Sequence, residues 1–307
     1  MNPFPALVAL CLVPIGAAQS MTCTIASNGL LQANLGPQVV STPMPASANA
    51  PAGYLVAQAA NISSTARSSV AWQVARTPAV VTFHLLHQVQ VTGPGNGASF
   101  TPGDFLLHLQ SPVTVPVRLE LQREFVLVAG MPLPALLVDV GDDGSAELDS
   151  STPSGVTVPV WLPPGTVDVR VRALVSLGSP GSAAHALSVR LLPAHATAFE
   201  LGFGCAAPGL AAVPLFSGEI ELAQQCGACN GPWLVVIGSG LHPVPLPSPW
   251  PLCLLVPTPD LVLFGPGAVS HTLAIPPALR PLTFFAQSVT LIPLGPASGS
   301  TFRVDAI

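Results

Sequence analysis

The chain has 307 residues and a formal net charge of −5, and only 7% of its residues are charged, against about 25% in an average globular protein. All 9 basic residues are arginines and they form no cluster, so nucleic acids and anionic membrane surfaces are excluded as favoured partners. The 36 prolines and 27 glycines disfavour long helices, and the hydrophobic content of 50% excludes a wholly disordered chain.

Residues 1–18 have the pattern of a signal peptide. A short apolar run, Ala6–Ile15, precedes Gly16-Ala17-Ala18, small residues of the kind that a signal peptidase reads. This run is too short to span a bilayer, and prolines interrupt the long uncharged stretch 222–259. We therefore expect cleavage after Ala18, no transmembrane segment in the mature chain, and a secreted, periplasmic or cell-surface protein.

Residues 19–53 are predicted to be an irregular lead-in. Within it, residues 37–53 are rich in proline, alanine and serine and have no periodic apolar pattern. Cys23 stands apart from the other cysteines of the mature chain, so its state is left open.

Residues 54–198 are predicted to form the first β-sandwich domain. Apolar and polar residues alternate in Val81–Val91, as in a strand with one solvated face, and the same alternation recurs in Phe105–Leu109, Val115–Leu121 and Val167–Val175. Short turn signals such as Asp142-Asp143-Gly144 separate these runs. The pattern favours two packed antiparallel sheets of the jelly-roll or immunoglobulin-like type.

Residues 199–307 are predicted to form a second, smaller β-sandwich. Its expected strands are Ile220–Ala223, Trp233–Ile237, Leu252–Val256, Leu261–Phe264, Val269–Ile275, Leu282–Ile292 and Phe302–Ala306. The glycines and proline in Phe264–Ala268 predict a hairpin that joins the fourth and fifth of these strands.

Several small motifs of this second domain occur in a recognisable order. They are Gly202-Phe203-Gly204-Cys205, Val235-Val236-Ile237-Gly238, Leu246-Pro247, Cys253, Ile275-Pro276 and Phe285-Ala286-Gln287. In this order they resemble an uncharacterised C-terminal β domain of planctomycete-type secreted proteins, which has no known activity. The resemblance, together with an oxidising compartment, implies a disulfide between Cys205 and Cys253.

Two further cysteines, Cys226 and Cys229, depart from that resemblance and leave alternatives open. In an exported protein they could close a local disulfide. A zinc site formed by all four cysteines of the domain would usually need a second Cys-x-x-Cys pair, and a redox-active pair would need a following helix to stabilise a thiolate. Structural disulfides are therefore the favoured interpretation.

Three histidines, His84, His87 and His108, are close enough in sequence to suggest a metal site. Residues three apart on a strand face opposite sides, so His84 and His87 could not bind one ion without a bulge. We therefore expect His84 and His108 on polar faces and His87 partly buried with one hydrogen-bond partner.

The segment Asp139–Gly144 has some features of a calcium loop, in which oxygen ligands stand at alternate positions. Gly141 occupies a position where a ligand is expected, and Ser150 stands where a bidentate glutamate would close the loop. The segment is therefore either a plain hairpin turn or a weak calcium site formed by Asp139, Asp142 and Asp143. Calcium is the one cofactor that the sequence leaves open.

No catalytic residue is assigned, because the nucleophile, metal and phosphate motifs with a specific spacing are absent. A glycosidase needs two carboxylates, such as Asp168 and Glu120 if their strands were neighbours. Trp72, Trp161, Trp233 and Trp250 could stack on sugars, although tryptophans in short strands usually belong to the core.

The sequence therefore predicts a secreted or cell-envelope β-sandwich protein that is non-enzymatic and structural or adhesive, with an envelope polymer or glycan as its partner. The alternative is a carbohydrate-binding or polysaccharide-hydrolysing extracellular sandwich. An open tryptophan on a concave sheet face would favour this alternative.

Overall fold

The structure, a computed structural model, describes residues 22–28, 30–43, 52–93, 97–111, 113–129, 135–202, 205, 209–225, 232–246, 253–266, 270–292 and 295–307. In these ranges the chain consists mainly of antiparallel strands with one short 3-10 helix, Pro277–Leu279, so the predicted all-β sandwich class is confirmed. Within the same ranges, no helix has the length and hydropathy needed to cross a membrane. The chain divides into two compact units, with the boundary between Leu192 and Pro193.

The first unit, Ser20–Leu192, contains two antiparallel sheets. Its strands are β1 (Thr22–Asn28), β2 (Leu30–Leu35), β3 (Gln38–Pro43), β4 (Ala52–Ala60), β5 (Thr65–Arg76), β6 (Val81–Thr92), β7 (Gly97–Ser111), β8 (Val115–Ala129), β9 (Ala135–Val140), β10 (Leu148–Asp149), β11 (Thr157–Leu162), β12 (Gly165–Leu177) and β13 (Gly181–Pro193). Sheet A has the order β10-β9-β12-β7-β2-β3, with β1 also paired to β7. Sheet B has the order β11-β8-β13-β6-β5-β4.

The alternation in the sequence decides which face of each strand is buried. Every odd residue of β6 from Val81 to Val91 is buried, and the even residues are exposed or half-buried. The apolar faces of the two sheets meet in one core, where Phe105 of sheet A packs against Phe83 and Trp72 of sheet B with ring centroids 5.1 and 5.8 Å apart. The inner faces of the two sheets are buried against each other. Their outer faces are therefore the sheet surfaces that can contact other molecules.

The predicted irregular lead-in, residues 19–53, is wrong for the residues that the structure describes. β1 pairs with β7 from Thr22 to Asn28, and β2 pairs with both β7 and β3. In β2 the buried Leu31, Ala33 and Leu35 alternate with half-buried residues, a strand pattern that the expectation of an irregular segment overlooked. The long neighbour β7 supplies backbone partners for both β1 and β2.

The second unit, Pro193–Ile307, contains three small sheets. Its strands are β14 (Ala196–Gly202), β15 (Gly209–Pro214), β16 (Glu219–Gln225), β17 (Pro232–Gly238), β18 (Leu241–Pro245), β19 (Leu254–Pro257), β20 (Leu261–Pro266), β21 (Ser270–Ala274), β22 (Leu282–Ile292) and β23 (Gly295–Ala306). The sheet β14-β23-β22-β17-β20 contributes Trp233, Val235 and Phe284 to a core to which β15-β16-β21 contributes Leu222 and Leu273. The remaining sheet is the pair β18-β19.

The predicted hairpin at Phe264–Ala268 is wrong. β20 pairs with β17, whereas β21 pairs with β16 in a different sheet. Gly265 and Pro266 belong to β20 and pair with β17, and residues 267–269 lie outside the described residues. A local turn signal cannot distinguish this connection from a hairpin, because both need the chain to change direction.

Candidate functional site

An open groove lies on the outer face of sheet B. Its volume is about 340 Å³. The side chains that line it come from four neighbouring strands: Arg67 and Ser69 on β5, Gln88 and Gln90 on β6, Ser182 and Ala184 on β13, and Val126 and Val128 on β8. We call it the outer groove.

The strand register arranges these side chains in two rows. Arg67 lies opposite Gln90, which lies opposite Ser182, and Ser69, Gln88 and Ala184 form a parallel row. Residues two apart on a strand face the same side, so both rows point outward together. With strands about 4.8 Å apart, a groove that crosses four of them extends for about 14 Å.

The groove is polar in its middle and carries little charge. The Ser69 hydroxyl donates to Oε1 of Gln88 over 3.5 Å. The NH2 group of the same Gln88 amide therefore points away from Ser69. The exposed Gln90 makes no side-chain hydrogen bond within the described part of the chain. Nη2 of Arg67 donates to the hydroxyl of Tyr54 over 3.1 Å, and Tyr54 is itself 58% exposed.

Trp161 lies on the same outer face but away from the groove. It is 67% exposed and pairs with Pro116 on β8. Val126 is ten residues further along that strand, which corresponds to about 33 Å at the usual rise per residue. Trp72 and Trp233 are buried in the cores of their units, and Trp250 lies outside the described residues.

Three carboxylates, those of Asp139, Asp142 and Asp143, lie at or beside the turn after β9. Asp139 is buried and accepts from the backbone N–H groups of Asp143 and Gly144 over 3.3 and 2.9 Å. Asp142 pairs instead with Nη1 of Arg170 over 2.6 Å. Among the residues that the structure describes, no group of three or more histidines, cysteines or carboxylates is arranged to hold a metal ion.

The three predicted histidines are separated by the fold. His84 is exposed on the outer face of sheet B, and His108 lies on sheet A, where its Nδ1 is 2.6 Å from Oδ1 of Asp168. His87 is fully buried, and in the described structure neither ring nitrogen has a hydrogen-bond partner. The prediction of a partly buried His87 with one partner is therefore wrong.

The two carboxylates suggested for a glycosidase, Asp168 and Glu120, lie in different sheets. Asp168 is on β12 in sheet A and contacts His108, whereas Glu120 is on β8 in sheet B and forms an ion pair of 2.9 Å with Arg190. Each carboxylate already has a cationic or hydrogen-bonding partner in its own sheet. Their strands belong to different sheets, so the condition for such a carboxylate pair is not met.

Cys205 and Cys253 are joined by a disulfide, with their Cα atoms 4.8 Å apart. The N–H of Cys205 donates to the carbonyl of Ser298 on β23, which fixes that end of the link to the sheet. Cys226 and Cys229 lie outside the described residues, and so does the side chain of Cys23.

The outer groove itself was not predicted as a site. Gln88 and Gln90 fall on the polar face of the strand predicted at Val81–Val91, so their outward direction could be read from the sequence. Their meeting with Arg67 and Ser182 depends on the order of strands in sheet B, which the alternation does not encode.

Comparisons with known proteins give little further guidance. No protein-family model matches the sequence, and no curated protein matches it. Among solved structures, a β-1,2-glucanase from Parabacteroides distasonis has 14% sequence identity and a TM-score of 0.19. The similarity covers 82% of this chain and 36% of the glucanase, so the chain spans about a third of that protein's length. At this TM-score the similarity carries no argument.

Proposed function

We propose that the protein is a non-catalytic extracellular binding module and that its outer groove binds a neutral polysaccharide. The observation that carries this proposal is the double row of outward side chains on sheet B, in which amides and hydroxyls stand side by side. The proposal joins the adhesive function expected from the sequence with its carbohydrate-binding alternative.

The chemistry of the groove suits the hydroxyl groups of a sugar. Amide side chains such as Gln88 and Gln90 both donate and accept, as sugar hydroxyls do, and Ser182 adds a further hydroxyl. Val126 and Val128 supply an apolar surface for the C–H groups of a sugar ring. The ligand is neutral in this proposal because amides and hydroxyls make up most of the polar lining, and Arg67 is the one charged side chain among the described residues of the groove.

Binding is favoured over hydrolysis because of what lines the groove. General acid and base catalysis needs at least two titratable groups near the bond that breaks. The described residues that line the outer groove include neither a carboxylate nor an imidazole.

The proposal includes export after removal of residues 1–18. Disulfides persist in oxidising compartments, and the link between Cys205 and Cys253 is consistent with this location. The resemblance of residues 200–307 to a domain of secreted proteins supports it too, and stays a prediction. Intact-mass analysis of the native protein tests the cleavage, since retention of Met1 would contradict it.

Affinity electrophoresis with a panel of neutral polysaccharides, supported by a glycan array, tests binding at the groove. We expect the mature protein to be retarded by at least one polysaccharide and the double variant Gln88→Ala/Gln90→Ala to bind it about tenfold more weakly or worse, because each hydrogen bond contributes about 1 kcal/mol.

The matched controls are Gln73→Ala and Trp161→Ala. Gln73 is exposed on β5 and Trp161 on β11, and both lie on the outer face of sheet B away from the groove. Retention equal to the wild type is expected for both. The proposal fails if no neutral polysaccharide binds, or if the controls lose as much affinity as the double variant. Turnover of a bound polysaccharide would overturn its non-catalytic part.

A further inference from the structure

A second, partly open pocket lies at the surface of the first unit, where residues from both sheets meet. Its volume is about 300 Å³. Its lining comprises Arg123 and Phe125 on β8, Ala135 and Leu136 on β9, Ser150 and Ser154 beyond β10, and His185 on β13. We call it the inner pocket because Arg123, Phe125 and His185 lie on the inward face of sheet B.

Arg123 brings a positive charge into this pocket because of its place in β8. Leu119 and Leu121 are buried on the inward face of the strand, and Arg123 is the next residue on that face. Its Nη1 donates to the carbonyl of Ser150 over 2.9 Å, and its backbone N–H donates to the Ser154 hydroxyl over 2.9 Å. The first bond holds the guanidinium at the wall of the pocket, and the second fixes the backbone of β8 there.

The charge of Arg123 lacks an acidic partner. Among the described residues, no carboxylate forms an ion pair with Arg123, whereas Arg170, Arg172, Arg190 and Arg303 each form one. A half-buried guanidinium without a counter-ion is costly, because burial weakens its hydration. The pocket therefore offers a favourable place for an anion.

His185 adds a second polar group to the wall. It is 2% exposed, its Nδ1 has no hydrogen-bond partner in the described structure, and its ring meets Phe125 edge-on with centroids 6.1 Å apart. Burial lowers the pKa of His185, and the nearby charge of Arg123 lowers it further, which favours the neutral imidazole at neutral pH. A neutral imidazole can still donate one N–H to an acceptor bound beside Arg123.

The rest of the lining defines the shape of the ligand. Phe125, Leu136 and Ala135 are apolar, and 300 Å³ is at the small end of ligand pockets. A guanidinium binds the planar carboxylate group through paired hydrogen bonds. We propose that the inner pocket binds a small organic acid, with its carboxylate on Arg123 and its apolar body against Phe125 and Leu136.

Isothermal titration calorimetry with benzoate as the probe tests this proposal, with benzyl alcohol as the uncharged comparison. The wild-type mature protein should bind benzoate saturably, with a dissociation constant of about 1 mM or tighter, and should bind benzyl alcohol at least tenfold more weakly. Arg123→Gln should weaken benzoate binding by about tenfold or more, because it removes a charge-assisted hydrogen bond.

Arg118→Gln is the matched control. Arg118 is on the same strand, is exposed, and lies on the opposite face, so the same loss of charge there should leave benzoate affinity unchanged. The proposal is overturned if wild-type protein shows no saturable benzoate binding, or if Arg118→Gln weakens binding as much as Arg123→Gln.

A second measurement needs no variant that could misfold. A carboxylate bound beside Arg123 should raise the pKa of His185, because it supplies a negative charge near the imidazole. NMR titration of the imidazole C–H signals with and without benzoate measures this change. An unchanged titration at saturating benzoate would place the ligand elsewhere and overturn the assignment.

Discussion

The imidazole of His87 occupies the space that a side chain at Gly103 would need. His87 is on sheet B and Gly103 on sheet A, and a Cβ added to Gly103 would lie 2.9 Å from Nε2 of His87 and 2.6 Å from the ring of Phe105. The glycine therefore permits the sheets to pack around a buried histidine.

Substitution of Gly103 by alanine should destabilise the first unit. We expect Gly103→Ala to lower the free energy of unfolding by about 1–3 kcal/mol, since both neighbouring rings are buried and cannot move aside cheaply. Urea denaturation measures the change. Gly178→Ala is the control, because a Cβ there would meet no atom within 4 Å. Equal stabilities of the two variants would contradict the packing argument.

Acid should destabilise the protein through His87. Burial, and secondarily the charge of His185, lower the pKa of His87 to about 3, whereas an unfolded histidine titrates near 6.5. Between these values the unfolded chain binds a proton that the folded chain does not bind. The free energy of unfolding should therefore fall as the pH drops from 6.5 towards 3, by up to about 1.4 kcal/mol per pH unit.

Denaturation of His87→Leu across pH 4–7 checks this dependence. The variant removes the titrating group, so its stability should vary less with pH than that of the wild type. His84→Gln, at an exposed position of the same strand, should follow the wild-type curve. A wild-type dependence that persists unchanged in His87→Leu would assign the acid sensitivity to other groups.

Gln287 should contribute strongly to the stability of the second unit. It is fully buried, its Nε2 donates to the carbonyls of Leu254 and Gly299 over 3.0 Å each, and its Oε1 accepts from the N–H of Val256 over 2.9 Å. The register between β22 and β23 shifts just after Gln287, and its bond to Gly299 lies where that ladder is interrupted. Its other two bonds reach Leu254 and Val256 on β19.

Replacement of Gln287 by methionine leaves these three backbone groups without that partner. We expect a loss of about 2–4 kcal/mol in the free energy of unfolding, together with faster hydrogen exchange of the Val256 amide. Gln224→Met is the matched control, because within the described residues the side chain of Gln224 makes one bond, which is 3.3 Å long and reaches Thr290. A cost for Gln287→Met no greater than that for Gln224→Met would show that the bonds of Gln287 add little.

Loss of the disulfide should destabilise the second unit. Cys205 and Cys253 are 48 residues apart, and closing a loop of that length in the unfolded chain corresponds to about 4 kcal/mol. The double variant Cys205→Ser/Cys253→Ser should therefore unfold at lower urea concentration than the oxidised wild type. Thiol quantification provides the control, and free thiols at both positions in protein purified without reductant would contradict the link.

Local patterns in the sequence determined the strands and their faces. The alternation in Val81–Val91 places Phe83 inside and Gln88 and Gln90 outside, because successive side chains of a strand point to opposite faces whatever its neighbours are. The strand predicted at Leu282–Ile292 is β22 with the same bounds. The outward direction of the Gln88 and Gln90 amides could therefore be predicted from the sequence.

Partner choice between strands was decided only by the tertiary structure. No local pattern in the sequence indicates that β20 pairs with β17 or that β1 lies beside β7. Nor does one indicate that Asp168 and Glu120 belong to different sheets. Pairing depends on backbone hydrogen bonds and side-chain packing between distant segments, and those energies belong to the pair of strands.

The surroundings of His87 likewise could not be predicted from local sequence patterns. Its position on the inward face follows from the alternation, but the space for its ring depends on Gly103 in the facing sheet. Arg123 likewise continues the inward face of β8, and only the meeting of β9 and β13 around it creates a pocket. Sequence sets the direction of each side chain, whereas its surroundings come from residues far away in the chain, because packing is a property of the assembled sheets.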